Sequence, residues 1–200
     1  GKHAVLRFSS EDQYYRYIAY FDSEGDYAGE GGFFPRGYMH IAYLRKDIPG
    51  RDRRILVHEL THNMLRPVPL PLWLDEALAI LFENDIAGDR KEALVTPELA
   101  NEHRNYWNSN TIQEFWRGDS FLKADASKLA YGMARILLDF IVTDIRPAPV
   151  EFRDFVLHAD RKDAGEAAAR DCLGVELSDL VSAFLGPGEW APRVATANLS

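Results

Sequence analysis

An α+β fold is predicted by three features of the sequence. Two short segments near the N-terminus, HAVLRF (residues 3–8) and RGYMHIAYL (36–44), alternate in the manner of strands. From residue 53 onward the apolar positions recur at helical spacing. The strands are thus confined to the N-terminal part and helices dominate after it, which favours a small mixed N-terminal sheet packed on one helix and followed by a mostly helical half. The 200 residues suffice for a single domain with a sizeable core. Its parts would be a sheet and helix over 1–65, a helical subdomain over 66–185 and a Pro/Gly-rich tail over 186–200.

The elements follow in chain order. After the first strand, EDQYYRYIAYF (11–21) has helical spacing, with Ser9 or Ser10 as N-cap. DSEGDYAGEGGFF (22–34) is rich in glycine and acid and reads as a loop. In the second strand Tyr38, His40 and Ala42 share one face and Met39, Ile41 and Tyr43 the other. KDIPGRD is a turn, and a helix over RRILVHELTHNML (53–65) follows, with Ile55, Leu56, Leu60, Met64 and Leu65 as apolar positions to bury. Three alternating prolines in RPVPLPL (66–72) force an extended break. WLDEALAILFEN (73–84) is apolar on nearly every face, which predicts a buried helix. Shorter helices are expected at TPELANEHR (96–104) and TIQEFWR (111–117). Longer ones are expected at DASKLAYGMARILLDFIVTD (125–144), VEFRDFVLHAD (150–160), AGEAAARDCLG (164–174) and ELSDLVSAFLG (176–186).

Composition narrows the function classes. Hydrophobic content of 46% and aromatic content of 12% describe a folded chain. A net charge of −8 disfavours nucleic acid and anionic membranes as partners. The run Arg51, Arg53 and Arg54 is broken by Asp52 and reads as the solvated start of a helix. No apolar run is long enough to cross a bilayer. The chain begins GKHAVL, without an initiator Met, which suggests a trimmed or mature form. Cys172 is the single cysteine, expected in a small buried apolar role, so neither an intrachain disulfide nor a thiolate cluster can form. Any metal must be held by histidine and carboxylate.

RRILVHELTHNML supplies such ligands. On a helix, residues i and i+4 share a face one turn apart, which brings the imidazoles of His58 and His62 side by side. Zinc accepts nitrogen ligands of this kind at about 2.0–2.1 Å. Glu59 is turned roughly 100° around the helix from His58. It can face a metal-bound water without entering the coordination sphere, take its proton and pass it to a leaving amine. A catalytic zinc site needs a third protein ligand. Glu76 is a carboxylate in an otherwise apolar helix, where burial of an ionised group demands a cation or donor. Asp75 is the neighbouring alternative; it stands nearer the helix start, where the dipole already favours an acid, and could instead orient a ligand histidine.

HELTH, a short proline-rich connection and LPLWLDEALA together resemble the gluzincin zinc metallopeptidases, in particular the short peptidase-MA-like group with its Trp-Leu-x-Glu-Gly-Leu-Ala element. The resemblance implies a zincin-like fold, with His58, His62 and Glu76 as zinc ligands and Glu59 as general base. FWRGDSFLKADASKLAYGMARILLDFI is similar to the family's downstream helix, which puts Tyr131 in the position of a donor to the oxyanion. GGFFPRGYMHIAYL is similar to the turn and edge strand that bind extended peptide, which implies substrate contacts for Tyr38 and His40. Ala77 departs from the family's glycine, a change that favours helix and slightly crowds the site.

The resulting expectation is zinc-dependent hydrolysis of a peptide or protein substrate, with a lean toward export from the cell. The alternative is a zinc-binding, peptidase-like domain that holds a peptide or protein without cleaving it. His103 is expected as a surface or packing histidine. No nucleophile elbow and no phosphate-binding loop occurs in the sequence.

Overall fold

A computed structural model of the chain describes residues 4–21, 32–33, 40–44, 50–87 and 95–193. The chain divides into two compact units: residues 1–64 with 79–90, and residues 65–78 with 91–200. The helix over residues 72–87 runs through the change from one to the other.

The first unit holds the sheet. Strand β1 (Ala4–Phe8), helix α1 (Glu11–Phe21) and strands β2 (Gly32–Phe33) and β3 (His40–Leu44) precede helix α2 (Arg51–Leu65). The strand order is β1-β3-β2. β1 runs parallel to β3, from Ala4 opposite His40 to Phe8 opposite Leu44, and β2 is antiparallel to β3. A parallel pair needs a crossover, and α1 lies in that connection. The Tyr14 and Ile18 side chains, one turn apart on α1, are fully buried with Ala42 of β3, and Phe8, Tyr15 and Tyr17 pack around them.

β3 is the central strand, and Ile41, Ala42 and Tyr43 are all buried. Both of its faces are therefore covered at these positions, whereas Val5 and Leu6 on the outer strand β1 remain exposed. Tyr43 directs its hydroxyl to Asp52 Oδ2 at 3.2 Å, which ties the strand to the first turn of α2. Arg7 lies 3.8 Å from the same carboxylate oxygen.

The second unit is helical. It contains the start of α3 (Leu72–Ala87), α4 (Pro97–Tyr106), α5 (Thr111–Arg117), α6 (Ser127–Phe140), α7 (Pro149–His158), a short α8 (Glu166–Ala168) and α9 (Leu177–Leu185). Trp73, Phe115, Met133, Leu137 and Phe155 are among its fully buried side chains. The helix expected to reach Asp144 leaves α geometry after Phe140 and continues as a π turn over Ile141–Ile145. Thr143 bonds back to Asp139 O at 2.8 Å, Arg146 is left-handed at φ 52°, and Pro147 cannot extend the ladder. The segment 164–174 likewise forms only one α turn before a π turn that ends at left-handed Gly174. Cys172 on that turn is partly exposed rather than buried. Among the described residues, no helix is long and apolar enough to cross a membrane.

Candidate metal centre

Helix α2 starts after Gly50, whose φ of +75° turns the chain into the first helical bond, Arg54 N–H to Gly50 O at 3.1 Å. Its buried residues are Ile55 and Thr61, and the Thr61 hydroxyl is satisfied within the helix by Val57 O at 2.8 Å. Met64, expected as an apolar contact, is 78% exposed at the helix end, where the proline-rich break follows. His58 and His62 are partly buried. Their rings meet edge to face with centroids 4.8 Å apart, and the two Nε2 atoms lie 3.1 Å from one another.

The prolines set where α3 begins. Val68 N–H bonds to Leu65 O and Leu70 N–H to Val68 O, both at 2.8 Å, and Pro71 O receives the N–H groups of Leu74 and Asp75. The first turn is then anchored by Trp73. Its indole N–H donates to Ala164 O at 2.9 Å, and its ring stands edge-on to Trp116 at 6.0 Å. Leu72 fits against Gly118, where a Cβ would come within 3.1 Å of the leucine side chain and where φ is +88°. A side chain at 118 would be strained by the left-handed backbone and would require the Leu72 side chain to give way by a few tenths of an ångström. Three residues beyond Trp73, the side chain of Glu76 is 9% exposed, between buried Leu74 and Ala77 in sequence.

One ligand atom from each of His58, His62 and Glu76 lies within 4.8 Å of the other two, and the three can hold a metal ion. Around a tetrahedral ion with bonds of about 2.0–2.1 Å, neighbouring ligand atoms are roughly 3.3 Å apart. The 3.1 Å between the imidazoles is close to that edge, so the histidine pair already has the spacing that a shared ion requires. Two neutral nitrogens and one buried carboxylate are a donor set suited to a divalent ion of borderline softness. Glu76, not Asp75, belongs to the group.

A fourth residue joins the histidines that sequence reasoning did not single out. Glu83, two turns beyond Glu76 on α3, brings Oε2 to 3.3 Å from His58 Nδ1, while its Oε1 is 3.6 Å from Arg54. All three side chains are largely shielded from solvent. The Glu83 carboxyl is held below its ordinary range, first by the hydrogen bond with His58 and then by the charges of His58 and Arg54, against the opposing effect of burial. A signal was present: an acid seven residues after the ligand acid lies on nearly the same helix face. Arg54, taken from sequence as part of a solvated helix start, is in fact committed to this carboxylate.

Glu59 follows His58 on α2 and is partly buried. Asp75 is in the first turn of α3, partly buried, with Oδ1 shielded from solvent. Tyr131 lies on α6, 38% exposed, with its ring edge-on to Phe121 at 5.1 Å. Tyr38 lies outside the described residues, and His40 is described only as the first residue of β3. His103 is a core residue: it is fully buried, its Nδ1 accepts the Trp107 indole N–H at 2.9 Å, and its ring meets Phe184 edge-on at 5.1 Å. That bond fixes the remaining proton on Nε2, which points toward Gly132, where a Cβ would come within 3.1 Å. Burial lowers its pKa to about 4.

No protein-family model, no curated protein and no solved structure matches the chain.

Proposed function

We propose that this chain is a zinc-dependent peptidase in which His58, His62 and Glu76 hold the ion and Glu59 is the general base. The observation that carries the proposal is the convergence of those three ligands, with a glutamate directly after the first histidine. The bound ion would polarise the scissile carbonyl and acidify the attacking water. Glu59 receives the proton that the water sheds as it attacks the carbonyl carbon. The carboxylic acid so formed then gives that proton to the leaving amine nitrogen as the C–N bond breaks. Glu76 supplies the negative charge that balances two neutral imidazoles and a dication. Tyr131 donates a hydrogen bond to the developing oxyanion, a role that rests on the resemblance of its helix to the peptidase pattern. Peptide or protein is the substrate class for the same reason, and Tyr38 and His40 are proposed to contact it; because β3 is the central strand, paired with both β1 and β2, that contact would not be the edge-strand pairing the resemblance implies. Asp75 is proposed to support a ligand histidine.

The test is cleavage of a mixed peptide library by zinc-loaded protein. The wild-type chain is expected to cleave and Glu59→Gln to lose about 10²–10⁴-fold in rate with its zinc retained. Equal cleavage by both overturns the mechanism. Zinc uptake with no cleavage by either makes the chain a zinc-binding domain that captures peptide without hydrolysing it.

A further inference from the structure

We infer that Glu83, braced by Arg54, is a positioning residue that fixes the tautomer and orientation of His58 so that Nε2 is presented to the metal. The inference rests on the zinc reading above and extends it to two residues outside the ligand set.

An imidazole can use only one nitrogen toward a given ion, and the group on the other nitrogen selects which one. Glu83 Oε2 lies 3.3 Å from His58 Nδ1. An ionised carboxylate accepts and never donates, so Nδ1 must carry the proton. The lone pair of a neutral His58 then resides on Nε2, the atom that faces His62 Nε2 at 3.1 Å. Arg54 holds the second oxygen of the same carboxylate at 3.6 Å, which limits rotation of the Glu83 head group. The brace is built from spacing along two helices. Arg54 and His58 are four apart on α2, one turn, and the carboxylate from α3 reaches both. A carboxylate on the distal nitrogen also raises the basicity of the ligand nitrogen, which strengthens metal binding beyond the effect of orientation. The Glu83 side chain is 23% exposed, so water competes for these contacts only in part.

Three measurements on the whole chain test this: zinc affinity by competition with a chromophoric chelator, the melting temperature of the metal-free protein, and ¹⁵N shifts of the His58 ring without metal. Glu83→Ala is expected to weaken zinc binding about 10–100-fold. In the same variant the metal-free fold persists, and the His58 ring shifts move from a single Nδ1–H tautomer to a mixture. Glu83→Gln retains an acceptor oxygen and is expected to keep the Nδ1–H tautomer and recover part of the affinity, which a merely structural role would not predict. Affinities within twofold of wild type for both variants, or an Nε2–H tautomer at His58 in the metal-free wild type, overturn the inference. Should Glu83→Ala not fold, Glu83→Gln and the wild-type tautomer still decide it. Failure of the peptidase reading looks different: wild type would take up zinc in a Glu83-dependent way and cleave nothing. A wild-type chain that takes up no zinc overturns both.

Discussion

The Nε2 atoms of His58 and His62 lie 3.1 Å apart, close to the separation of two ligand atoms on one tetrahedral ion. A divalent ion needs a lone pair from each of them. Replacing either imidazole should cost more than replacing a residue that only supports one. His62→Ala is expected to lower zinc affinity beyond the ~10–100-fold typical of outer partners, as read by chelator competition. An affinity within that range would place His62 outside the coordination sphere.

Tyr131→Phe separates packing from chemistry. The ring contact with Phe121 survives the substitution, so the melting temperature should stay within a few degrees. If the phenol stabilises the oxyanion, kcat falls by about 10²–10³ while KM changes little. An unchanged kcat would leave Tyr131 as a packing residue of α6 alone.

His103 gives the helical unit a definite response to acid. Burial holds its pKa at about 4, against an ordinary 6.5, so between those values the unfolded chain binds a proton that the folded chain does not. Stability is complete above pH 6.5 and falls as the pH drops toward 4, by at most roughly 3 kcal/mol. His103→Gln keeps an oxygen for the Trp107 indole N–H but does not titrate. Urea unfolding at pH 7 and pH 4.5 should show a smaller loss for this variant than for wild type. Equal losses would assign the acid sensitivity to carboxylates elsewhere.

The helices were legible in the sequence because their signals are local. Thr96 before Pro97, the prolines of 66–72 and the four-residue spacing of the two histidines each act within one or two turns. Glu76 was legible for a related reason, as an ionised side chain in an apolar helix. What sequence did not reveal depended on partners distant in the chain. Glu83 shares a helix face with Glu76, but nothing local pairs it with Arg54, 29 positions earlier, or with His58, so the brace is visible only in the structure. Cys172 is partly exposed on a segment that breaks into π geometry, and composition announces neither feature. The two-sided burial of β3 was hidden too, since alternation in a central strand says nothing about which faces are covered.

Every proposed step of the chemistry depends on Glu76 completing a site with His58 and His62. Native mass spectrometry of the zinc-loaded chain reads this directly. One zinc per wild-type chain is expected, with occupancy lost in Glu76→Ala at the same free zinc concentration. Full occupancy in Glu76→Ala, or a wild-type chain that carries no zinc, would contradict it.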